Sequence, residues 1–338
     1  MPEKFKSDII EFKYTWNDKG EVISEFKSGS GSFDGSILKI GNIDIPVTDI
    51  LSMSVDDHEF YFGIADDDNG TLPIIVEFYG TDVIQLEHAI NASRSSALAG
   101  SERDRLTQSG KLANYRDHVC PFCKSTIVLT NLPPTPQVYC NFCDTLFSVD
   151  QEPGDEIERD FRICENCGMY SRPRKFAVFY FYFLIVTFGF HHDSIVRCSG
   201  CMRSSAWKMV LGNLFGLLGF PFALVQLYRS YSTKSLTGRF EGLDTANVLA
   251  RRGNVDKALQ RYDEIMDRVP ENAGVKYNIG FGLMLKKDFG HAQEIFELSL
   301  DDCSNYWPAV NGLLRALQQQ GKSDQIEAVY RVWGSRPQ

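Results

Sequence analysis

Eight of the nine cysteines in this chain fall into four Cys-x-x-Cys pairs. Each such turn presents two thiolates to one cation, and four thiolates close a tetrahedral shell around zinc without leaving a position for water. Sixteen residues separate the first two pairs and thirty separate the last two, which is enough chain for a hairpin in each case. The spacing therefore predicts two structural Zn²⁺ ions, the first held by Cys120, Cys123, Cys140 and Cys143 and the second by Cys164, Cys167, Cys198 and Cys201.

The competing chemistry for a Cys-x-x-Cys turn is thiol–disulfide exchange. A redox turn of the thioredoxin type needs one pair at the start of a helix within a βαβ pattern, whereas here the turns come two by two. The N-terminal stretch MPEKFKSDIIEF has no apolar core and is not a signal peptide. Such pairs in a chain without a secretory signal indicate zinc ligands in a reducing compartment. The remaining Cys303 is predicted to be a small buried hydrophobe.

The first cysteine site, CPFCKSTIVLTNLPPTPQVYCNFC, resembles a zinc ribbon, with Lys124 where many ribbons carry glycine. The second resembles a ribbon subfamily in which an aromatic-rich apolar segment lies between the two turns. His191 and His192 fall inside that insert, and we expect them at the turn of its hairpin, with a role as spare ligands as the alternative.

No arrangement of residues indicates catalysis. The histidines have no nucleophile partner, and HExxH, GxSxG and phosphate-binding loops are missing from the sequence. We therefore predict a protein that is not an enzyme. Residues 1–80 hold six lysines and sixteen acidic residues, while the remainder is about neutral in sum. Because nucleic-acid binders need a basic face to displace counterions, a nucleic-acid-associated zinc-ribbon protein is only an alternative.

The first hundred residues predict an antiparallel β domain. Short runs such as SILKI, EFYFGIA and LPIIVEFY alternate or cluster apolar residues between Gly, Asn and Asp turns. A helix with Val83, Leu86, Ala89 and Ile90 on one face follows and is expected to end before NASRSSALAG. Strands closed by one helix resemble a PH-like or GRAM-like domain over 1–100, with a linker over 101–118.

The C-terminal segment repeats itself with a period of 34 residues. Leu249, Leu283 and Leu317 are one such set, and Tyr262, Phe296 and Tyr330 are another. This pattern resembles three tetratricopeptide repeats over 239–335. The resemblance implies a groove for a protein or peptide partner lined by the first helix of each repeat, here Asn247, Tyr277, Asn278, Phe281, Asn311 and Arg315. The alternative is that the repeats dock against the rest of this chain.

Two apolar segments raise the question of a membrane. Residues 176–190 are shorter than the roughly 20 a spanning helix needs, and a span there would separate the two halves of the second zinc site. Their aromatic and β-branched residues favour an extended hairpin. Residues 206–228 reach spanning length and leave three arrangements open: burial against that hairpin, shallow insertion into one leaflet, or an integral anchor.

The sequence thus predicts a multidomain α+β protein. Its domains are the PH-like domain at 1–100, zinc ribbons at 119–150 and 160–204, an apolar helix at 205–230 and an all-α repeat solenoid at 239–335, with acidic and polar linkers at 150–160 and 229–242. The predicted function is a cytoplasmic scaffold or adaptor that binds a protein partner, with membrane contact through 176–190 and 206–228 at the inner face as a further expectation. An integral membrane protein anchored by 206–228 is the alternative.

Overall fold

The computed structural model describes the chain except for residues 1–8, 18–26, 57, 66–69, 150–159, 185–186, 213–219, 233–237 and 335–338. The protein is α+β and divides into two compact units. The first comprises 1–131 with 140–143 and 336–338, and the second comprises 132–139 with 144–335. Most of the predicted linker at 150–160, the middle of that at 229–242 and the centre of the apolar segment 206–228 lie outside the described residues.

A seven-stranded antiparallel sheet forms most of the first unit, in the order β4-β3-β2-β1-β7-β6-β5. Phenylalanines that alternate along the strands are buried, as Phe60 and Phe62 are, and they meet Leu86 and Ile90 of the following helix. The strands are β1 (Ile10–Asn17), β2 (Lys27–Phe33), β3 (Ile37–Ile40), β4 (Ile43–Pro46), β5 (Ile50–Asp56), β6 (Glu59–Ala65) and β7 (Thr71–Tyr79).

Helix α1 (Val83–Gln108) is longer than the sequence predicts, because it continues through NASRSSALAG into the expected linker. Its N-terminus is capped by Asp82, whose carboxylate accepts from the backbone N–H groups of Ile84 and Gln85. The small polar stretch stays helical because it packs closely. Arg94 is 3% exposed and its Nε donates to the carbonyl of Ile50 at 2.7 Å, so the extension is tied to the sheet.

Three of the four cysteine pairs lie at short two-stranded sheets. Strand β8 (Asp117–Val119) pairs with β9 (Thr126–Val128), β10 (Gln137–Cys140) with β11 (Thr145–Ser148), and β12 (Arg162–Ile163) with β13 (Tyr170–Ser171). The apolar insert of the second site forms a long hairpin of β14 (Arg174–Leu184) and β15 (Thr187–Arg197), in continuous antiparallel register.

The second unit ends in helices that pair along the chain. Helices α2 (Ser199–Gly212) and α3 (Phe220–Ser232) pack on each other. Three helical hairpins follow: α4 (Leu243–Arg251) with α5 (Val255–Met266), α6 (Ala273–Leu285) with α7 (Phe289–Asp302), and α8 (Trp307–Gln320) with α9 (Ser323–Trp333). The second helix of each hairpin (α5, α7 and α9) therefore begins 34 residues after the one before it. The first helices α6 and α8 begin 34 residues apart as well.

Close packing between the last two hairpins depends on glycine. The ring of Phe296 on α7 lies against Gly280 on α6 and Gly312 on α8, and a Cβ at either glycine would come within 2.7 Å of that ring. Among the described residues, no helix is both long enough and apolar enough to cross a bilayer.

Candidate metal centres and the face that holds them

The first cysteine group brings all four predicted thiols together. Cys120, Cys123 and Cys140 are buried and Cys143 is half-buried. The Sγ atoms of Cys120 and Cys143 are 3.7 Å apart, and those of Cys123 and Cys140 are 3.5 Å apart. Two turns separated by sixteen residues thus converge, and the grouping expected from their spacing is confirmed.

The second group has the same form. Cys164 and Cys201 place their Sγ atoms 4.0 Å apart, and Cys167 and Cys198 place theirs 3.8 Å apart. The backbone N–H of Cys198 donates to the sulfur of Cys164 at 3.4 Å. Within each group the four sulfurs all lie within 4.8 Å of one another, which is a complete set of four soft ligands.

These separations fit a single tetrahedral cation. A disulfide would bring two sulfurs to about 2.05 Å, well below every distance above. A tetrahedron with metal–sulfur bonds of about 2.3 Å has edges of about 3.8 Å, within the range of 3.5 to 4.0 Å found here. Both groups can therefore hold a metal ion in a closed shell, without an open position for a substrate.

Backbone conformation explains how the turns close. The residue that follows the turn is left-handed in three of the four pairs, with φ of 63° at Lys124, 56° at Asp144 and 69° at Gly168. At Gly168 this lets the N–H turn back to the carbonyl of Cys164 at 2.7 Å. Lys124 therefore occupies the conformation that glycine has in the related turn, at a steric cost to a side chain that carries Cβ. The fourth pair, Cys198 and Cys201, lies at the start of α2 instead.

Arg251 at the end of α4 contacts the second group, and nothing in the sequence pattern indicated it. Its Nη1 donates to the sulfur of Cys201 at 3.0 Å. The approach requires Gly200, because a Cβ there would lie 2.6 Å from the guanidinium. Burial lowers the pKa of Arg251, but the cysteine sulfurs around it outweigh that effect and raise the pKa above its ordinary value. Four thiolates around a divalent cation carry a net charge of −2, which a guanidinium at this distance offsets.

His191 and His192 do not lie at the turn of the hairpin, contrary to the expectation from sequence. They pair with Tyr180 and Phe179 within the ladder, whereas the last pair before the turn is Leu184 with Thr187. The reason is that the two strands are equal in length and pair without a shift, which places both histidines well inside β15. Their side chains are not among those that the structure describes.

Two of the predicted groove asparagines bind the backbone of this chain. Asn278 is fully buried. Its Oδ1 accepts from the N–H of Tyr170 at 2.7 Å and its Nδ2 donates to the carbonyl of Tyr170 at 2.7 Å. Asn247 donates to the same carbonyl at 2.9 Å, and its Oδ1 accepts from Asn278 and from the hydroxyl of Tyr262. Helices α4 and α6 thereby satisfy both the backbone N–H and the backbone carbonyl of Tyr170 in β13.

Tyr277 and Phe281 contact the same segment. The hydroxyl of Tyr277 donates to the carbonyl of Gly168 at 2.8 Å, and the ring of Phe281 lies 3.7 Å from the Cβ position of Gly168. Burial raises the pKa of Tyr277 to about 12, so the phenol is a donor throughout the neutral range. The two remaining predicted groove residues, Asn311 and Arg315, are exposed on α8.

Asn305 makes the same kind of contact with β10, although no sequence pattern indicated it. Its Oδ1 accepts from the N–H of Tyr139 at 2.9 Å and its Nδ2 donates to the carbonyl of Tyr139 at 2.7 Å. The buried thiol of Cys303 donates to the same Oδ1 at 3.2 Å, and burial raises its pKa. Nearby, Gln137 accepts from the N–H of Ala273 at 2.9 Å. Asn305 lies in the turn before α8, outside the repeating positions, so no periodic signal marked it.

No protein-family model matches this chain, and no curated protein matches it significantly.

Proposed function

We propose that this protein is a non-enzymatic scaffold in which two structural Zn²⁺ ions each close a pair of ribbon turns and a tetratricopeptide-like array binds a protein partner. The observation that carries the proposal is the sulfur geometry. In each set the four thiols lie within 4.8 Å of one another, and two sulfur pairs per set are 3.5 to 4.0 Å apart, which matches the closed shell of zinc. Iron is the other cation that a tetrahedral sulfur set takes, and zinc fits a closed site without a redox role.

Three features support the tetratricopeptide assignment of the helical hairpins. The second helices begin 34 residues apart, small residues on one helix face an aromatic ring on the next, and Gly253 and Gly321 have left-handed backbone at the turns between helices. The seven-stranded sheet closed by α1 is likewise the order of elements of a PH-like domain.

The array acts first on its own chain. The first helix of each of two hairpins carries an asparagine, and together these asparagines bind the backbone N–H and carbonyl of one residue. Such a face would hold an extended peptide in the same way. Here the bound residue is Tyr170, and Asn305 in the turn before α8 binds the backbone N–H and carbonyl of Tyr139 in the same way. A protein partner therefore meets the exposed end of this face, where Asn311 and Arg315 lie, or it displaces the ribbon segments.

Metal analysis of the purified protein tests the proposal. We expect two zinc ions per chain by mass spectrometry, one after Cys164→Ser and two after Cys303→Ser, because Cys303 belongs to neither group. Replacement by Co²⁺ should give the intense visible bands of a tetrahedral thiolate complex. Iron in place of zinc, or a metal-free protein that resists heat as well as the loaded one, would overturn it, because structural zinc contributes to folding directly.

A further inference from the structure

Helix α3 has most of its larger apolar side chains on the outside. Its inner face consists of the buried Ala223, Gln226 and Ser230 and the partly buried Phe220 and Leu227. Gln226 is only 3% exposed, and its Oε1 has no hydrogen-bond partner among the described residues. The exposed face carries Phe222, Leu224, Val225, Tyr228 and Tyr231, of which Tyr228 is 72% exposed. At 100° per residue these cover about half of the circumference. A helix packed on protein normally has the opposite arrangement.

Helix α2 extends this surface. Trp207 and Leu211 lie one turn apart and are exposed, with Lys208 beside them. The indole Nε1 of Trp207 donates to the hydroxyl of Tyr231 at 3.3 Å, and the guanidinium of Arg203 lies 4.8 Å from the centre of the Tyr231 ring. Aromatic side chains with polar tips, next to basic groups, therefore join the two helices.

Charge is segregated in the same part of the chain. Residues 161–240 contain ten Lys or Arg and two Asp or Glu, a formal net charge of +8. Because the whole chain carries −9, the rest carries −17. The near-neutral sum over residues 81–338 hides this basic segment. Helices α2 and α3 themselves contain Arg203, Lys208 and Arg229 and no acidic residue.

We infer that the exposed face of α2 and α3 docks on an anionic phospholipid surface, with Phe222, Tyr228, Trp207 and Leu211 in the headgroup–acyl boundary. Trp and Tyr are the residues enriched at that boundary, and amphipathic helices lie in its plane with basic groups toward anionic lipids. The assignment goes beyond the zinc scaffold proposed above and does not depend on what the helical array binds.

Charge favours lipid over the other occupants of such a face. An anionic surface attracts the three basic residues of α2 and α3 and meets no acidic residue on either helix. A second copy would bring like charges together, since α2 and α3 of each copy carry Arg203, Lys208 and Arg229 and no acidic residue. Nucleic acid would use the charges but would leave Leu211, Leu224 and Val225 in water.

Vesicle co-sedimentation of the full chain tests the inference. We expect binding to vesicles containing phosphatidylglycerol, weaker binding to pure phosphatidylcholine, and loss at high salt. Lys208→Gln with Arg229→Gln should lower the partition coefficient about 25-fold, since each basic residue near the surface contributes about fivefold. Phe222→Ser with Tyr228→Ser should reduce it further. Tyr330→Ser, at an exposed tyrosine of α9, is the matched control and should bind as wild type.

Every other result overturns the inference. Vesicle binding that survives both double substitutions places the contact elsewhere. No binding to anionic vesicles, together with a dimer by light scattering that Phe222→Ser and Tyr228→Ser dissociate, assigns the face to a second copy. If the protein retains nucleic acid and Phe222→Ser with Tyr228→Ser does not change that retention, the face binds nucleic acid through its charges alone. Zinc content measured on the same samples separates this outcome from failure of the scaffold proposal, because none of these residues is a ligand.

Discussion

Replacing Asn278 by alanine removes the centre of the contact between α6 and β13. Asn278 makes three hydrogen bonds, of which two go to Tyr170 and one to Asn247. The carbonyl of Tyr170 keeps the bond from Asn247, but its N–H is left in the interior without an acceptor. An orphaned buried donor costs about 1–3 kcal/mol, and each lost neutral bond about 1 kcal/mol. We expect a loss of about 3 kcal/mol in the free energy of unfolding.

Two measurements check the magnitude with zinc present in excess. The melting temperature should fall by about 6–12 °C, since a domain of this size loses about 2–4 °C per kcal/mol. Hydrogen exchange followed by mass spectrometry should show lost protection in the peptide that contains Tyr170, while peptides of the seven-stranded sheet stay unchanged. The second readout assigns the loss to this contact rather than to unfolding elsewhere.

Asn311→Ala is the matched control, because Asn311 is a predicted groove residue that is exposed on α8. It should change stability by less than about 0.5 kcal/mol. Asn278→Asp keeps the acceptor for the Tyr170 N–H but loses the donor and buries a charge, so it should destabilise the protein at neutral pH and less so at acidic pH. If Asn278→Ala costs no more than Asn311→Ala, the asparagine contact does not hold β13 against α6.

Three further predictions concern glycine packing, a buried cation and a titrating pair. Gly312→Ala should destabilise the protein by about 1–2 kcal/mol in thermal melts, because its Cβ would meet an aromatic ring of α7 at 2.6 Å. Gly290→Ala is the control, since its Cβ faces open space and should stabilise the protein by up to about 1 kcal/mol. Equal effects of the two substitutions would refute the packing argument. Arg94→Met should cost about 2 kcal/mol in urea unfolding, because two carbonyl oxygens of β5 lose a charged donor; an unchanged transition midpoint would count against this. The hydrogen bond to Asp288 raises the pKa of His291 above its ordinary value. The contribution of this pair to folding stability is therefore complete below the unfolded pKa of about 6.5 and is lost as pH rises through the folded pKa. An NMR titration should show the raised pKa of His291, and Asp288→Asn should abolish the shift.

Local spacing in the sequence was sufficient for the metal ligands and for the helical period. A Cys-x-x-Cys turn fixes its two sulfurs within a few residues, and the intervening lengths are enough for a hairpin between the first and second turns and between the third and fourth. The helical hairpins follow from a 34-residue repeat because each unit is stabilised mainly by its neighbours. Alternating apolar residues predicted the strands of the first unit for the same local reason, since period two follows from the pleat.

The sequence misplaced features whose outcome depends on distant partners. The helix from Val83 was expected to stop at a run of small polar residues, yet it continues to Gln108 because Arg94 and Ser95 find partners on other elements. The two adjacent histidines were expected at a turn. Their position in β15 depends on how the two strands register, which composition does not specify.

By itself, then, the sequence determined which eight cysteines form two sites, where the strands and helical hairpins lie, and that 206–228 is apolar. Only the tertiary structure decided that Asn278 and Asn305 satisfy backbone groups of this chain, that Arg251 reaches the sulfur of Cys201 beside Gly200, and that most of the larger apolar side chains of α3 point outward. The physical reason is that hydrogen-bond satisfaction and burial are properties of pairs far apart in the chain, whereas period and spacing are properties of neighbours.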